Sequence, residues 1–115
     1  MTIAERSIES VVVLDMSGRL ILGEGAEQLK SMGEALTARG CRQIILNLAE
    51  VSYVDSAGLG ALLAVFFETK KHGGRVKLQQ PSKRLLDLLK MAKLTTVFDI
   101  TDSEPAGLAG FGVTL

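Results

Sequence analysis

Cysteine is almost missing from this chain: Cys41 stands alone, so no internal disulfide can form and two-cysteine metal motifs are excluded. Just ahead of a β-branched run, it reads as a small buried hydrophobe beside a strand. Tryptophan is absent and aromatic residues make up 4% of the sequence, which leaves no stacking platform for nucleic-acid bases. Neither sign of charge is in excess. Thirteen Lys and Arg balance thirteen Asp and Glu, so the chain carries no global electrostatic footprint for nucleic acid or an anionic membrane. Long apolar runs are missing too: the longest, Leu59 to Phe67, is about half a membrane span and is broken by Gly60. Met1-Thr2-Ile3-Ala4-Glu5-Arg6 lacks the apolar stretch of a signal peptide. A cytoplasmic setting is expected, with no membrane and no nucleic-acid partner. Asp55, Asp87, Asp99 and Asp102 show no metal-ligand spacing, so neither metal nor cofactor is expected.

What is present is a regular alternation. At 115 residues and 47% apolar content, one domain with one sizeable core is the expectation. Ile3, Glu5 and Ser7, then Val11-Val12-Val13-Leu14, read as two strands joined by a turn near Glu9-Ser10, the second ending at Ser17-Gly18. A loop over 20–25 leads to a helix over 26–38, with Leu29, Met32, Ala35 and Leu36 inward and Arg39-Gly40 as its stop. A buried strand over 43–48 precedes an Asp55-Ser56 turn and a helix over 57–71, closed by His72-Gly73-Gly74. Residues 75–79 alternate as a half-exposed strand. Pro81-Ser82 opens a third helix with Leu85, Leu86, Leu88, Leu89 and Met91 as its apolar face. Val97 to Ile100 is a short last strand.

Strands alternating with helices of this length predict the α/β class: a single small domain with a mixed, mostly parallel open β-sheet. About four to five strands and three to four helices are expected, over residues 1–100. The tail, 101–115, carries Pro105, Gly107, Gly110 and Gly112 without a clear period and reads as a weak helix or as partly disordered.

One junction stands out. Val51-Ser52-Tyr53-Val54-Asp55-Ser56-Ala57-Gly58-Leu59-Gly60 places Asp55 and Ser56 between an apolar strand and an apolar helix. The Ser56 hydroxyl then lies at or near a helix N-cap, where N–H groups are unpaired and the dipole favours negative charge. Such an end would receive a phosphate on that oxygen well. Asp and Ser before an apolar helix are ordinary capping residues, but Gly58 and Gly60 in the first turn each cost up to about 1 kcal/mol against alanine. That cost argues that a neighbouring strand or a partner approaches this backbone closely.

Enzyme readings of the junction fail on spacing. A nucleophile elbow needs glycine two residues before the serine, and Val54 stands there. The only histidine, His72, lies sixteen residues along the same helix, about 24 Å away against hydrogen-bond reach of about 3 Å. No catalytic residue is assigned. Gly58 and Gly60 lack the third glycine of a dinucleotide loop, and Gly23-Glu24-Gly25 puts a carboxylate where a phosphate loop needs bare N–H groups.

Val54-Asp55-Ser56-Ala57-Gly58-Leu59-Gly60 resembles the signature of the STAS-domain family, the anti-sigma factor antagonists. Weaker similarity extends through Ser17-Gly18-Arg19-Leu20, Ile45-Leu46-Asn47-Leu48, Gly73-Gly74 and Lys83-Arg84-Leu85-Leu86. The resemblance implies a STAS-like fold and no enzymatic activity of its own. It implies a protein-binding module for an anti-sigma factor with serine kinase activity, which phosphorylates Ser56 and so ends the interaction. A serine phosphatase, metal-dependent in this family, would restore it. Asp55, Ser56, Ala57, Gly58 and Leu59, with Gly18 and Glu24 of the preceding loop region, are the partner-binding residues so implied, on a monomer or weak homodimer. The alternative is a constitutive scaffold subunit of a larger signalling or transport assembly. In one respect the chain departs from the family: an aspartate often found just after the Gly-x-Leu turn is Ile21 here, with Glu24 close by.

Overall fold

A computed structural model describes residues 1–114 of the chain. In chain order the elements are β1 (Thr2–Ile8), β2 (Val11–Leu20), α1 (Ala26–Ala38), β3 (Gln43–Val54), α2 (Ser56–Lys71), β4 (Arg75–Gln79), α3 (Lys83–Met91), β5 (Asp99–Thr101) and α4 (Glu104–Gly110). The strands form one sheet in the order β1-β2-β3-β4-β5. β1 runs antiparallel to β2 through a turn in which Glu9 takes a positive φ, and the other three pairings are parallel. The α/β class and the mixed sheet read from the sequence are those of the structure.

Helices cover both faces of the sheet, which is why β2 opens with four consecutive buried residues, Val11 to Leu14, and not an alternation. Val12, Leu14, Ile44, Leu46, Val76 and Leu78 face the larger core, filled by Leu29 and Leu36 of α1, Leu62 and Val65 of α2, and Leu85 and Leu89 of α3. Val11, Val13 and Ile45 face a smaller core closed by Leu108, Phe111 and Val113. Where the tail shows no period in the sequence, residues 104–110 therefore form a short helix whose end seals the second face. Ser103 caps it by accepting from the Ala106 N–H at 3.2 Å. Leu115 lies outside the described residues.

Several boundaries move. β2 continues to Leu20 and β3 to Val54, well past Gly18 and Leu48, because Ser17 to Leu20 pair with Glu50 to Val54 through two register shifts. β4 is not half-exposed: Lys77 and Gln79 are 7% and 4% exposed, with Lys77 bonded to Asp99 at 2.8 Å and lying over the Phe111 ring. Met91 is 81% exposed, so the apolar face of α3 rests on Leu85 and Leu89. The last strand starts at Asp99, and Phe98 before it is a core residue.

Candidate functional site

The site begins with a backbone collision avoided. α2 starts so close to the end of β2 that a Cβ on Gly58 would lie 2.0 Å from the Leu20 carbonyl oxygen. Only glycine fits. This is the close approach that the glycine cost predicted, and the neighbour is the end of a strand. Gly60 is the opposite case, since a Cβ there would meet nothing within 4 Å.

Asp55 is the N-cap of α2, in extended conformation (φ −95°, ψ −174°), and Ser56 is the first helical residue. The helix thus begins one residue before the Ala57 start read from the sequence, and Ser56, placed there at or near the cap, lies next to it. The Asp55 carboxylate accepts from the Gly58 N–H at 2.8 Å and, through its second oxygen, from the Leu22 N–H at 3.1 Å. One side chain thus ties the helix start to the β2–α1 loop. The Gly58 and then the Leu22 N–H hold its carboxyl below the usual carboxylate range, so it stays ionised at neutral pH. The Leu59 N–H is taken as well, by the Asp55 carbonyl at 2.9 Å. The positive end of α2 already holds a negative charge of its own.

Ser56 is exposed, with Ala57 and Leu59 half-buried against the larger core and Gly58 buried. Asp55, Ser56 and Leu59 line a cleft of about 430 Å³ between α2 and α3, together with Tyr53, Arg84 and Met91. The Arg84 guanidinium lies 4.9 Å above the centre of the Tyr53 ring. Gly18 and Glu24 are not among the cleft's lining. Gly18 sits within β2 at φ +111°, its carbonyl accepting from the Ser52 hydroxyl at 3.3 Å. Glu24 pairs with Arg19 at 3.0 Å, on a loop whose Ile21 carbonyl accepts from the Glu24, Gly25 and Ala26 N–H groups. That loop meets the site through Leu22, which is 69% exposed. Tyr53, Arg84 and Met91 were missed in the sequence. Tyr53 carried the one available signal, as the sole tyrosine two residues before Asp55.

His72 lies at the opposite end of α2, its Nδ1 2.9 Å from the Glu68 carbonyl oxygen, and is not among the residues that line the cleft with Ser56; Asp55 and Asp87 are the carboxylates there. Among the described residues no group of three or more His, Cys, Asp or Glu could hold a metal ion, and no helix is long and apolar enough to cross a membrane.

The architecture is a mixed five-stranded sheet with an exposed serine on the first turn of α2. The family profile described as STAS domain matches residues 2–106, and the chain belongs to that family. It is 39% identical over 61 residues to the anti-sigma-B factor antagonist of Bacillus subtilis (strain 168), an alignment spanning 53% of this chain and 56% of that relative. With the anti-sigma F factor antagonist of Paenibacillus polymyxa it shares 29% identity over 92 residues, covering 77% of this chain and 79% of the relative. Among solved structures, the anti-sigma factor antagonist SpoIIAA in its unphosphorylated form superposes with a TM-score of 0.75 (20% identity, 96% of this chain and 97% of that one). The phosphorylated form of SpoIIAA from Bacillus gives 0.73 (23% identity, 91% and 96%). The chain is a homologue of anti-sigma factor antagonists.

Proposed function

We propose that this protein is an anti-sigma factor antagonist whose docking on an anti-sigma factor with serine kinase activity is switched by phosphorylation of Ser56. The observation that supports this most is the presentation of Ser56: exposed, on the first turn of a helix locked in place by Asp55 and Gly58, and facing an open cleft. The relatives named above carry the antagonist role in their names.

The chemistry is a phosphoryl transfer. A bond forms between the Ser56 oxygen and the γ-phosphorus of ATP, the bond to the β–γ bridging oxygen breaks, ADP leaves, and the hydroxyl proton passes to a base of the kinase. A serine phosphatase reverses the modification with water and releases inorganic phosphate. The phosphate adds about −1.5 to −2 charge beside the ionised Asp55 carboxylate. Burying the added charge against a partner surface, beside the Asp55 carboxylate, costs about 3–5 kcal/mol, which is roughly 10²–10⁴ in affinity. Charge and bulk at one surface do the switching, without a change of fold. Ion pairs guard the exposed β1 edge, Glu5 with Arg39 and Arg6 with Asp15 and Glu104, which favours a monomer or weak dimer.

The test is binding to the cognate kinase, measured by calorimetry for Ser56→Ala and for the full chain carrying phosphoserine at position 56. The alanine variant binds and the phosphoserine form loses at least a hundredfold. Equal affinities refute the switch.

A further inference from the structure

We propose that Arg84 receives the phosphate on Ser56, leaving the face of Tyr53 to do so. This rests on Ser56 being the modified residue, and adds the group that answers the new charge. The need for such a group follows from the helix start. The Gly58 and Leu59 N–H groups are already engaged by the Asp55 side chain and carbonyl. A dianion on Ser56 therefore arrives at an end that is partly neutralised, next to a fixed carboxylate, and needs a counter-charge from outside α2.

Among the described residues lining the cleft, Arg84 is the only cation. The charged and titratable groups facing that space are Asp55 at the N-cap of α2, Tyr53 from β3, and Arg84 and Asp87 from α3. Arg84 is exposed, and its guanidinium rests over the Tyr53 ring at 4.9 Å. An exposed cation–π contact is weak beside a bidentate, charge-assisted pair with a phosphate, so the exchange runs toward the phosphate. Arginine suits both positions, because its planar fork stacks on a ring and matches two phosphate oxygens. Tyr53, Ser56 and Arg84 line the same cleft, so the exchange takes place within one space. The ring it uncovers then becomes part of the altered surface.

The test uses the full chain with phosphoserine installed at position 56 during synthesis, so no kinase is required. Phosphorus NMR over pH 4–8 reads the second ionisation of the phosphate. It is expected lower in the wild-type background than in Arg84→Met by about half a pH unit, roughly threefold in the ionisation constant. Lys83→Met removes the same charge from outside the cleft lining and is expected to leave the value at wild type. Because the chain holds one tyrosine and no tryptophan, its fluorescence reports Tyr53 alone. Phosphorylation is expected to change that emission in wild type and not in Arg84→Met. Equal ionisation constants for wild type and Arg84→Met overturn the assignment, as does an equal rise with Lys83→Met, which would mean a diffuse field. Either result leaves binding of the unphosphorylated protein to the kinase untouched, so the two readings fail separately.

Discussion

Replacing Gly58 by alanine would place a methyl carbon 2.0 Å from the Leu20 carbonyl oxygen. Ordinary C···O contacts lie near 3.3–3.6 Å, so about 1.3 Å or more has to be recovered by moving main chain. Overpacking costs about 1–3 kcal/mol where side chains can give way. Here the obstacle is a strand carbonyl that also accepts the Asp55 N–H at 3.3 Å, so the upper end of that range applies. Alanine returns about 1 kcal/mol of helix propensity, which leaves a net loss of about 2 kcal/mol. For a domain of this size that lowers Tm by roughly 6–10 °C. Gly60→Ala reverses the sign, because a Cβ there meets nothing within 4 Å and only the propensity gain of up to about 1 kcal/mol remains. Gly60 also sits four residues after Ser56, on the same helix face, so its methyl intrudes on the surface proposed for the kinase. Gly60→Ala is expected to melt higher yet bind the kinase more weakly. Thermal denaturation by circular dichroism decides the first half: a Gly58→Ala protein melting with or above wild type, or a Gly60→Ala protein melting below it, refutes the packing argument.

Two further outcomes follow from other contacts. Asp55 has its carboxyl lowered first by the Gly58 N–H and then by Leu22, so its stabilisation is whole above the unfolded value of 3.8 and is lost as pH falls through the lower folded value. Asp55→Asn is expected to flatten part of the loss of stability on acidification, read as urea midpoints between pH 2.5 and 6; an unchanged slope counts against the cap. Leu108 is fully buried against Val11, Val13 and Ile45, so Leu108→Ala is expected to cost about 2–4 kcal/mol in urea denaturation, and a loss below 0.5 kcal/mol would mean that α4 does not seal the second face.

The elements legible in the sequence are those whose cause is local. α1 spans Ala26–Ala38 and β4 spans Arg75–Gln79, as read, because their apolar spacing and flanking glycines lie within a few residues of each other. The second half of β3 was hidden because Glu50, Ser52 and Tyr53 carry no strand pattern, and their extended form comes from pairing with β2 across thirty residues or more. Burial of Lys77 and Gln79 was equally out of reach, since it depends on α4 and Phe111 returning over the sheet. α4 is two turns long, too short to show a period. Asp55, Ser56 and Leu59 are brought together at the site by adjacency in the chain. Arg84 and Met91 join them only because α3 packs beside the end of β3, which no periodicity encodes.

The same local and distant contacts explain why a modification at this position would act on a partner and not on the fold. Asp55 grips both Gly58 and Leu22, and Gly58 is pressed onto Leu20, so the start of α2 is held from two directions without any help from the Ser56 side chain. A phosphate on Ser56 would displace none of these contacts. Its charge would act outward, on whatever lies across the cleft, and the one cation among the described residues lining that cleft is a guanidinium resting over an exposed ring. A capping residue that were itself the modified one could not separate these roles, because adding a dianion would remove the cap. Placing the carboxylate at the cap and the hydroxyl one residue later divides the work: Asp55 keeps the helix, and Ser56 is free to change.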